Sequence, residues 1–201
     1  MKYRLLALTS LAGFLALPLT QLEAGNENTM RVGSRTSQPV GHWEYCKLNQ
    51  EDCSVKSLRS KPMQLTKTRW SEMLEANNYA NISIKPALDL DFYGTEEHWQ
   101  LPTTHGDCED YALLKRKWLI EQGWHPSQLL ITVVRQPNGE AHALLTVRTS
   151  EGDFALDNLR DDVRVWSQTE YTYLKRVSPH HSGWWEDILD TRTTASAMNV
   201  K

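Results

Sequence analysis

The chain has 201 residues, of which 40% are hydrophobic and 23% are charged, a composition that suits one globular domain with a single core. Its formal net charge is −3, and because lysine and arginine do not cluster, the composition argues against a nucleic-acid partner. Beyond the N-terminal segment, no stretch is long and apolar enough to predict a membrane span.

The N-terminus has the pattern of a secretory signal. Lys2 and Arg4 precede a nearly uncharged apolar run over residues 5–19, and this run is too short to favour spanning a bilayer. We therefore predict a signal peptide over residues 1–24 that is cleaved after Ala24. A retained anchor and a buried first helix are the alternatives.

Three cysteines follow this signal. An exported chain normally pairs its cysteines where geometry allows, and Cys46 and Cys53 flank a short polar loop, so we predict a disulfide between them. Two unpaired thiols are the alternative. Cys108 remains free in the first case, and a free thiol in an oxidising compartment indicates that its reactivity is used.

Composition divides the rest of the chain. Residues 25–41 are polar and rich in Gly, Ser, Thr and Asn, which predicts a flexible linker, with ordered structure beginning near Trp43. The folded domain is predicted over residues 42–186. Residues 187–201 lack periodicity and are predicted to form a polar C-terminal tail.

Two helices are predicted in the first half of the domain. Apolar residues at helical spacing follow a candidate cap at Thr66 and continue to about Asn81. The second helix begins at Cys108 and runs to about Gln122, where Gly123 is a good C-terminal stop. Between the two helices, the sequence predicts an extended or irregular segment that ends in a turn.

After Pro126 the pattern changes from helical to extended. β-branched residues and turn signals predict an antiparallel meander, with strands over residues 129–135, 142–149, 154–159, 163–166 and 171–177. Helices that are followed by antiparallel strands predict an α+β domain.

The strongest chemical signal surrounds Cys108. Asp107 is a good N-cap, which would place the Cys108 thiol in a first helical turn, where the helix dipole favours a thiolate. His142 and Asp157 follow on separate predicted strands. A cysteine nucleophile needs an imidazole to take its proton and a carboxylate to orient that imidazole, so we predict a triad of Cys108, His142 and Asp157.

The register of two strands decides whether His142 and Asp157 can meet. If the hairpin turns at Thr149–Ser150, the two residues lie opposite each other on one face. If it turns at Glu151–Gly152, they share a face but lie several residues apart. The sequence leaves both registers open.

The acidic residues Asp107, Glu109 and Asp110 lie beside the proposed nucleophile, and their charges would raise the pKa of the Cys108 thiol. One interpretation is that they only complement the helix dipole. The other is that they bind a hard cation such as calcium, which takes carboxylate oxygens and would cancel the repulsion. Zinc held by histidines and cysteines fits no standard ligand spacing here.

Several of these motifs resemble those of the bacterial transglutaminase-like cysteine proteinases, whose best-known members are the LapG-type periplasmic proteases. The resemblance extends from about residue 42 to residue 178. It rests on Trp99 with Pro102, on residues 106–112, on residues 141–145, on residues 156–158 and on residues 43–53.

The resemblance implies a papain-like, transglutaminase-like fold, in which helices pack on an antiparallel sheet and the nucleophile lies at a helix N-terminus. It implies the same catalytic roles for Cys108, His142 and Asp157, and calcium held by Asp107 and Glu109, with Asp110 as a further candidate. The Cys108 amide is one expected oxyanion donor, and Trp99 is a candidate for another.

The resemblance also implies a location and partners. LapG-type proteases are periplasmic, they cut the N-terminal region of a large surface adhesin to release a biofilm, and an inner-membrane receptor restrains them. The expected function is therefore an exported cysteine peptidase that processes a surface or periplasmic protein. An acyltransferase with the same triad and a non-catalytic calcium-binding module on the same fold are the alternatives.

Overall fold

The computed structural model of the chain describes residues 27–58 and 60–192. The described residues form a seven-stranded antiparallel sheet and a separate pair of short strands. In chain order the elements are β1 (Val32–Thr36), α1 (Val40–Leu48), α2 (Gln50–Cys53), α3 (Lys67–Ser83), β2 (Lys85–Pro86), α4 (Asp89–Tyr93), β3 (His105–Gly106), α5 (Cys108–Glu121), β4 (Leu129–Arg135), β5 (Ala141–Thr149), β6 (Gly152–Leu156), β7 (Arg164–Val165), β8 (Thr172–Ser178) and β9 (His181–Ile188).

The strand order of the large sheet is β1-β9-β8-β4-β5-β6-β7. One core cluster joins helices α3 and α5 to this sheet through buried residues that include Met73, Leu119 and Leu145. Each such side chain stabilises the fold by about 1.5–3 kcal/mol when it leaves water. The predicted α+β class, with helices packed on an antiparallel sheet, is confirmed.

Both predicted helices are confirmed, with the cap at the start of α3 and the glycine stop after α5. The Thr66 hydroxyl accepts a hydrogen bond from the Arg69 amide at 3.2 Å, which caps the start of α3. Helix α5 ends before Gly123, whose φ of +86° lies in the left-handed region that favours glycine. The segment between the helices also contains the short helix α4, where the sequence predicted a turn.

The predicted flexible linker over residues 25–41 is wrong within the described residues, because β1 and the start of α1 lie inside it. Strand β1 pairs with β9, and most of its side chains are exposed. Its stability therefore comes from backbone pairing at a sheet edge, where polar residues are tolerated. Composition alone predicts disorder for such a segment, so the folded domain begins earlier than residue 42.

The predicted boundary at residue 186 is also too early. Strand β9 continues to Ile188, which is buried, and the Leu189 amide donates to the Arg31 carbonyl at 2.8 Å. Residues 193–201 and the predicted signal peptide lie outside the described residues. Within the described ranges, no helix has the length and hydropathy needed to cross a membrane.

A disulfide joins α1 to α2. Cys46 and Cys53 are bonded, with their Cα atoms 5.5 Å apart, and Cys108 is a free cysteine. The imidazole of His42 lies beside this bridge and accepts a hydrogen bond from the Trp185 indole at 3.1 Å. The bridge and His42 therefore tie the first two helices to strand β9.

Acid should weaken this part of the core. Burial, and after it the charge of Arg116, lowers the pKa of His42 from 6.5 to about 4, and the charge of Asp52 opposes both. The unfolded chain then binds a proton at His42 more readily than the folded chain. The contribution of His42 to the free energy of unfolding is therefore complete above pH 6.5 and is lost as pH falls towards 4. The loss should reach about 3 kcal/mol.

Urea unfolding at a series of pH values measures this loss. We expect His42→Gln to have a smaller dependence on pH between 6.5 and 4, because its side chain does not titrate. The matched control is His125→Gln, since His125 is exposed. Equal pH dependence in wild type and His42→Gln would contradict the assignment.

Candidate active site

A cleft of about 760 Å³ contains the predicted catalytic cysteine and histidine. Cys108, His142 and Trp99 line it, together with Asn158, the residue after Asp157. The cleft lies where the start of α5 meets the first residues of β5. The fold therefore brings residues that are far apart in sequence to one concave surface, which is where ligand sites form.

Two short contacts hold the Cys108 sulfur. The Ala143 amide donates to Sγ at 3.3 Å, and the thiol donates to Oε2 of Glu109 at 3.2 Å. Ala143 directly follows His142, so this contact docks the start of α5 against the β5 strand next to the imidazole. Gly106 precedes the helix, and a Cβ there would lie 2.6 Å from Oδ2 of Asp110. A side chain at position 106 would therefore push the turn apart.

His142 and Asp157 are in direct contact. Nε2 of His142 lies 2.8 Å from Oδ1 of Asp157, and both side chains are buried. Because an ionised carboxylate only accepts, the Nε2 atom carries the proton in this bond. Nδ1 is then the ring nitrogen that remains able to accept a proton.

The strand register differs from both registers that the sequence leaves open. Thr149 pairs with Gly152 and Leu145 with Leu156, so the turn residues are Ser150 and Glu151. This register lies between the two alternatives. It makes Asp157, which follows Leu156, a diagonal neighbour of His142, so the two residues are not directly opposite each other. Diagonal neighbours on one sheet face are within reach of long side chains, and the 2.8 Å bond spans that diagonal.

Asp157 has two further hydrogen-bond donors. The Tyr171 hydroxyl donates to Oδ2 at 2.6 Å, and the Leu159 amide donates to Oδ1 at 3.0 Å. Burial opposes ionisation of Asp157, but these bonds and the bond from His142 outweigh it and hold the pKa of Asp157 below its ordinary value. The carboxylate is therefore kept charged. Sequence patterns did not predict Tyr171, because strand tyrosines are common.

The surroundings of Cys108 disfavour its charged form, in contrast to those of Asp157. Burial is the largest cause that raises the pKa of the thiol well above its ordinary value, and the charge of Glu109 raises it further. The Ala143 amide opposes this shift. The protonated thiol is thus the favoured form beside these uncompensated acids, as the sequence led us to expect.

A group of three carboxylates lies next to Cys108. Oxygens of Asp89, Asp107 and Glu109 all lie within 4.8 Å of one another. Burial, followed by the hydrogen bond and charge of Asp107, raises the pKa of Glu109 to about 9. Asp89 lies on α4 and was not predicted, because the spacing between positions 89 and 107 has no motif signature.

Asp107 occupies the N-cap position of α5, but its side chain makes no capping hydrogen bond. Instead, Oδ2 of Asp107 accepts from the Asp89 amide at 3.4 Å. Two carboxylate oxygens, Oδ1 of Asp89 and Oδ1 of Asp107, are buried without a hydrogen-bond partner. The predicted capping bond is therefore wrong, and the Asp107 side chain is directed towards α4.

These residues fit a calcium ion. Calcium prefers carboxylate oxygens from several side chains, and buried oxygens without partners gain most from a cation. Asp110, which was also predicted as a ligand, lies outside the three-carboxylate group. Its Oδ1 accepts from the Gln100 amide at 2.9 Å, so Asp110 anchors the segment that carries Trp99.

Trp99 does not have a free indole donor. Its Nε1 atom donates to Oε2 of Glu97 at 2.9 Å, and the ring packs against the rings of His42 and Trp185. The geometry therefore gives Trp99 a place in the wall of the cleft and does not favour it as an oxyanion donor. The Cys108 amide, at the start of α5, remains the candidate donor.

Comparison with known proteins identifies a family. Residues 32–193 match the family described as bacterial transglutaminase-like cysteine proteinase. A comparison with curated proteins gives no match. The matched region includes β1 and all of β9, in agreement with the limits of the described fold.

Solved structures give a weaker likeness. LapG from Legionella pneumophila is 23% identical with a TM-score of 0.47, and the match covers 53% of this chain and 62% of that one. A calcium-bound form of the same protein gives 22% identity and a TM-score of 0.48, covering 53% and 64% of the two chains. An EGTA-treated form gives 23% identity and 0.47. The chain thus matches less than two thirds of the LapG chains.

Proposed function

The chain belongs to the bacterial transglutaminase-like cysteine proteinase family, and from this premise we propose that it is a cysteine endopeptidase that hydrolyses peptide bonds in a protein substrate. One observation carries the proposal. The cleft that holds the free thiol of Cys108 also holds the His142 imidazole, and that imidazole is bonded to a buried carboxylate at 2.8 Å. This is the set of groups that thiol catalysis needs.

The reaction follows from the proton positions. Asp157 keeps the proton on Nε2 of His142, so Nδ1 takes the proton of Cys108 as the sulfur attacks the substrate carbonyl carbon. The tetrahedral intermediate expels the amine, which receives that proton from His142, and a thioester remains. A water molecule, deprotonated by His142, then attacks the thioester. The acid product leaves, and Cys108 regains its proton.

The start of α5 supplies electrostatic support. Because Asp107 does not cap the helix with its side chain, that side chain does not compete for the first-turn amides. The positive end of the helix dipole and the Cys108 amide can then stabilise the charge that develops on the carbonyl oxygen.

Calcium has a supporting role in this proposal. Asp89, Asp107 and Glu109 would hold the ion, and its positive charge would offset the carboxylates that disfavour a thiolate. The three residues come from α4, from the turn before α5 and from its first turn. They would therefore hold the nucleophile's helix start against α4.

The finer assignments rest on the sequence motifs. We propose that the protein is exported to the periplasm by residues 1–24 and processes a surface protein such as an adhesin, and that an inner-membrane receptor restrains it. The cleft would have to accept an extended segment of the substrate, because a protease needs several substrate residues to lie beside the nucleophile.

Product analysis distinguishes hydrolysis from acyl transfer. Surface proteins of the source organism are incubated with wild type or Cys108→Ala in heavy-oxygen water, with and without an added primary amine. We expect new C-termini that carry heavy oxygen and form only with the wild type. New C-termini that carry the amine would favour the acyltransferase, and cleavage by Cys108→Ala would contradict the proposed nucleophile.

A further inference from the structure

We propose that Tyr171 is a positioning residue of the triad, whose hydroxyl holds the Asp157 carboxylate in the orientation that presents Oδ1 to the His142 imidazole. This inference rests on the proposed function, because it assigns a role to a neighbour of the proposed triad. It adds a fourth side chain to the three that the sequence motifs indicate.

The contact is short and lies in the protein interior. The Tyr171 hydroxyl donates to Oδ2 of Asp157 at 2.6 Å, a length typical of a charge-assisted bond to a carboxylate. Tyr171 is 6% exposed, so water competes little for this bond. The Tyr171 ring centroid also lies 5.6 Å from that of His142, which places the tyrosine beside the imidazole as well.

The backbone of Tyr171 is itself held in place. Its carbonyl accepts a hydrogen bond from Nη2 of Arg192 at 2.6 Å, and strand β8 begins at the next residue. The hydroxyl is therefore presented from a rigid strand start. A positioning group needs such support, because a mobile donor would not fix the carboxylate.

The two oxygens of Asp157 have separate tasks. Oδ1 accepts from both His142 and the Leu159 amide, whereas the bond from Tyr171 goes to Oδ2. Without the hydroxyl, Oδ2 would be a buried acceptor that has lost its donor, which is costly for a charged group. The carboxylate would then rotate or take up a proton, and either change would weaken its hold on His142.

Tyr173 offers a matched comparison. It lies two residues further along, is also buried, and its hydroxyl accepts from the Thr169 hydroxyl at 3.2 Å instead of contacting the triad. Tyr171→Phe and Tyr173→Phe therefore make the same change, the loss of one buried hydroxyl, at two nearby positions. Only the first removes a donor to Asp157.

The test uses the full mature protein in calcium buffer. Iodoacetamide labels the free thiol of Cys108 at about pH 6.5, where an ordinary thiol reacts slowly. Proton NMR follows the low-field resonance of the Nε2 proton between His142 and Asp157, and thermal unfolding reports stability. We expect Tyr171→Phe to label about tenfold more slowly, which equals the loss of one bond to a charged group, and to shift or lose the low-field resonance.

Tyr173→Phe should label within about twofold of wild type and keep the resonance, even if its unfolding temperature falls. In the Asp157→Ala background, Tyr171→Phe should cause no further loss, because the two residues act through one interaction. Thermal unfolding shows at which temperatures each variant is folded, and the labelling rates are compared only at those temperatures.

If Tyr171→Phe is labelled at the same rate as wild type and keeps the low-field resonance, the inference is overturned and the peptidase proposal remains intact. Equal losses in Tyr171→Phe and Tyr173→Phe would overturn it as well, since a structural role would explain both. Wild-type protein that reacts no faster than glutathione would instead overturn the proposed function, and this inference with it.

Discussion

Asp157→Asn is expected to reduce the rate of substrate cleavage by about a thousandfold or more. Asparagine has nearly the same shape as aspartate, but it lacks the charge that stabilises an imidazolium and the second acceptor oxygen. His142 would then lose the charged acceptor of its Nε2 proton, and an amide NH2 turned towards Nε2 would favour the tautomer with the proton on Nδ1, so Nδ1 would no longer be reserved for the Cys108 proton. Initial rates of fragment formation measure the loss, and His142→Ala should have an effect of the same order.

Asp153→Asn is the matched control for this change. Asp153 and Asp157 are each 2% exposed, and Asp153 pairs with Arg176 at 3.2 Å, away from the cleft. We expect Asp153→Asn to lower stability, since it breaks a buried ion pair, but to retain cleavage at temperatures where it is folded. Similar rates for Asp157→Asn and wild type would contradict the triad.

Removal of calcium is expected to lower both activity and stability. If Asp89, Asp107 and Glu109 hold the ion, saturating calcium should stabilise the fold by about 3 kcal/mol at a hundredfold excess over the dissociation constant. For a domain of this size, that raises the unfolding temperature by about 5–10 °C. EGTA should remove this increase and reduce cleavage at least about tenfold, because the acids beside Cys108 are then uncompensated.

Asp89→Asn tests the ligand that the sequence did not predict. It should abolish the calcium-dependent rise in unfolding temperature, whereas Asp91→Asn, on the same short helix and exposed, should keep it. Calorimetric titration with calcium alone gives the same comparison without a substrate. Equal calcium responses in Asp89→Asn and Asp91→Asn would contradict the three-carboxylate site.

The sequence predicted those parts of the molecule that local signals determine. Helix α5 has an acidic first turn, an apolar face and a glycine stop, and the strands that carry His142 and Asp157 have clear turn signals. The two residues meet through a register between the two that the sequence leaves open, because a turn can shift by one residue with little change in composition.

The features that the sequence did not predict depend on contacts between distant segments. Asp89 approaches Asp107 because β2 and β3 pair in parallel over only two residues each, and such short strands leave no periodic pattern. Strand β1 is polar because it forms a sheet edge. Tyr171 acquires its role from the position of β8, which the sequence of that strand does not reveal.

The most direct measurement of the central claim is the rate at which iodoacetamide labels Cys108 in calcium buffer at about pH 6.5, compared with His142→Ala and with glutathione. This rate requires no knowledge of the substrate, and Cys108 is the free cysteine of the chain. If Cys108 is an activated nucleophile, we expect wild type to be labelled at least about tenfold faster than glutathione. This faster rate should be lost in His142→Ala. Equal rates for wild type, His142→Ala and glutathione would contradict it.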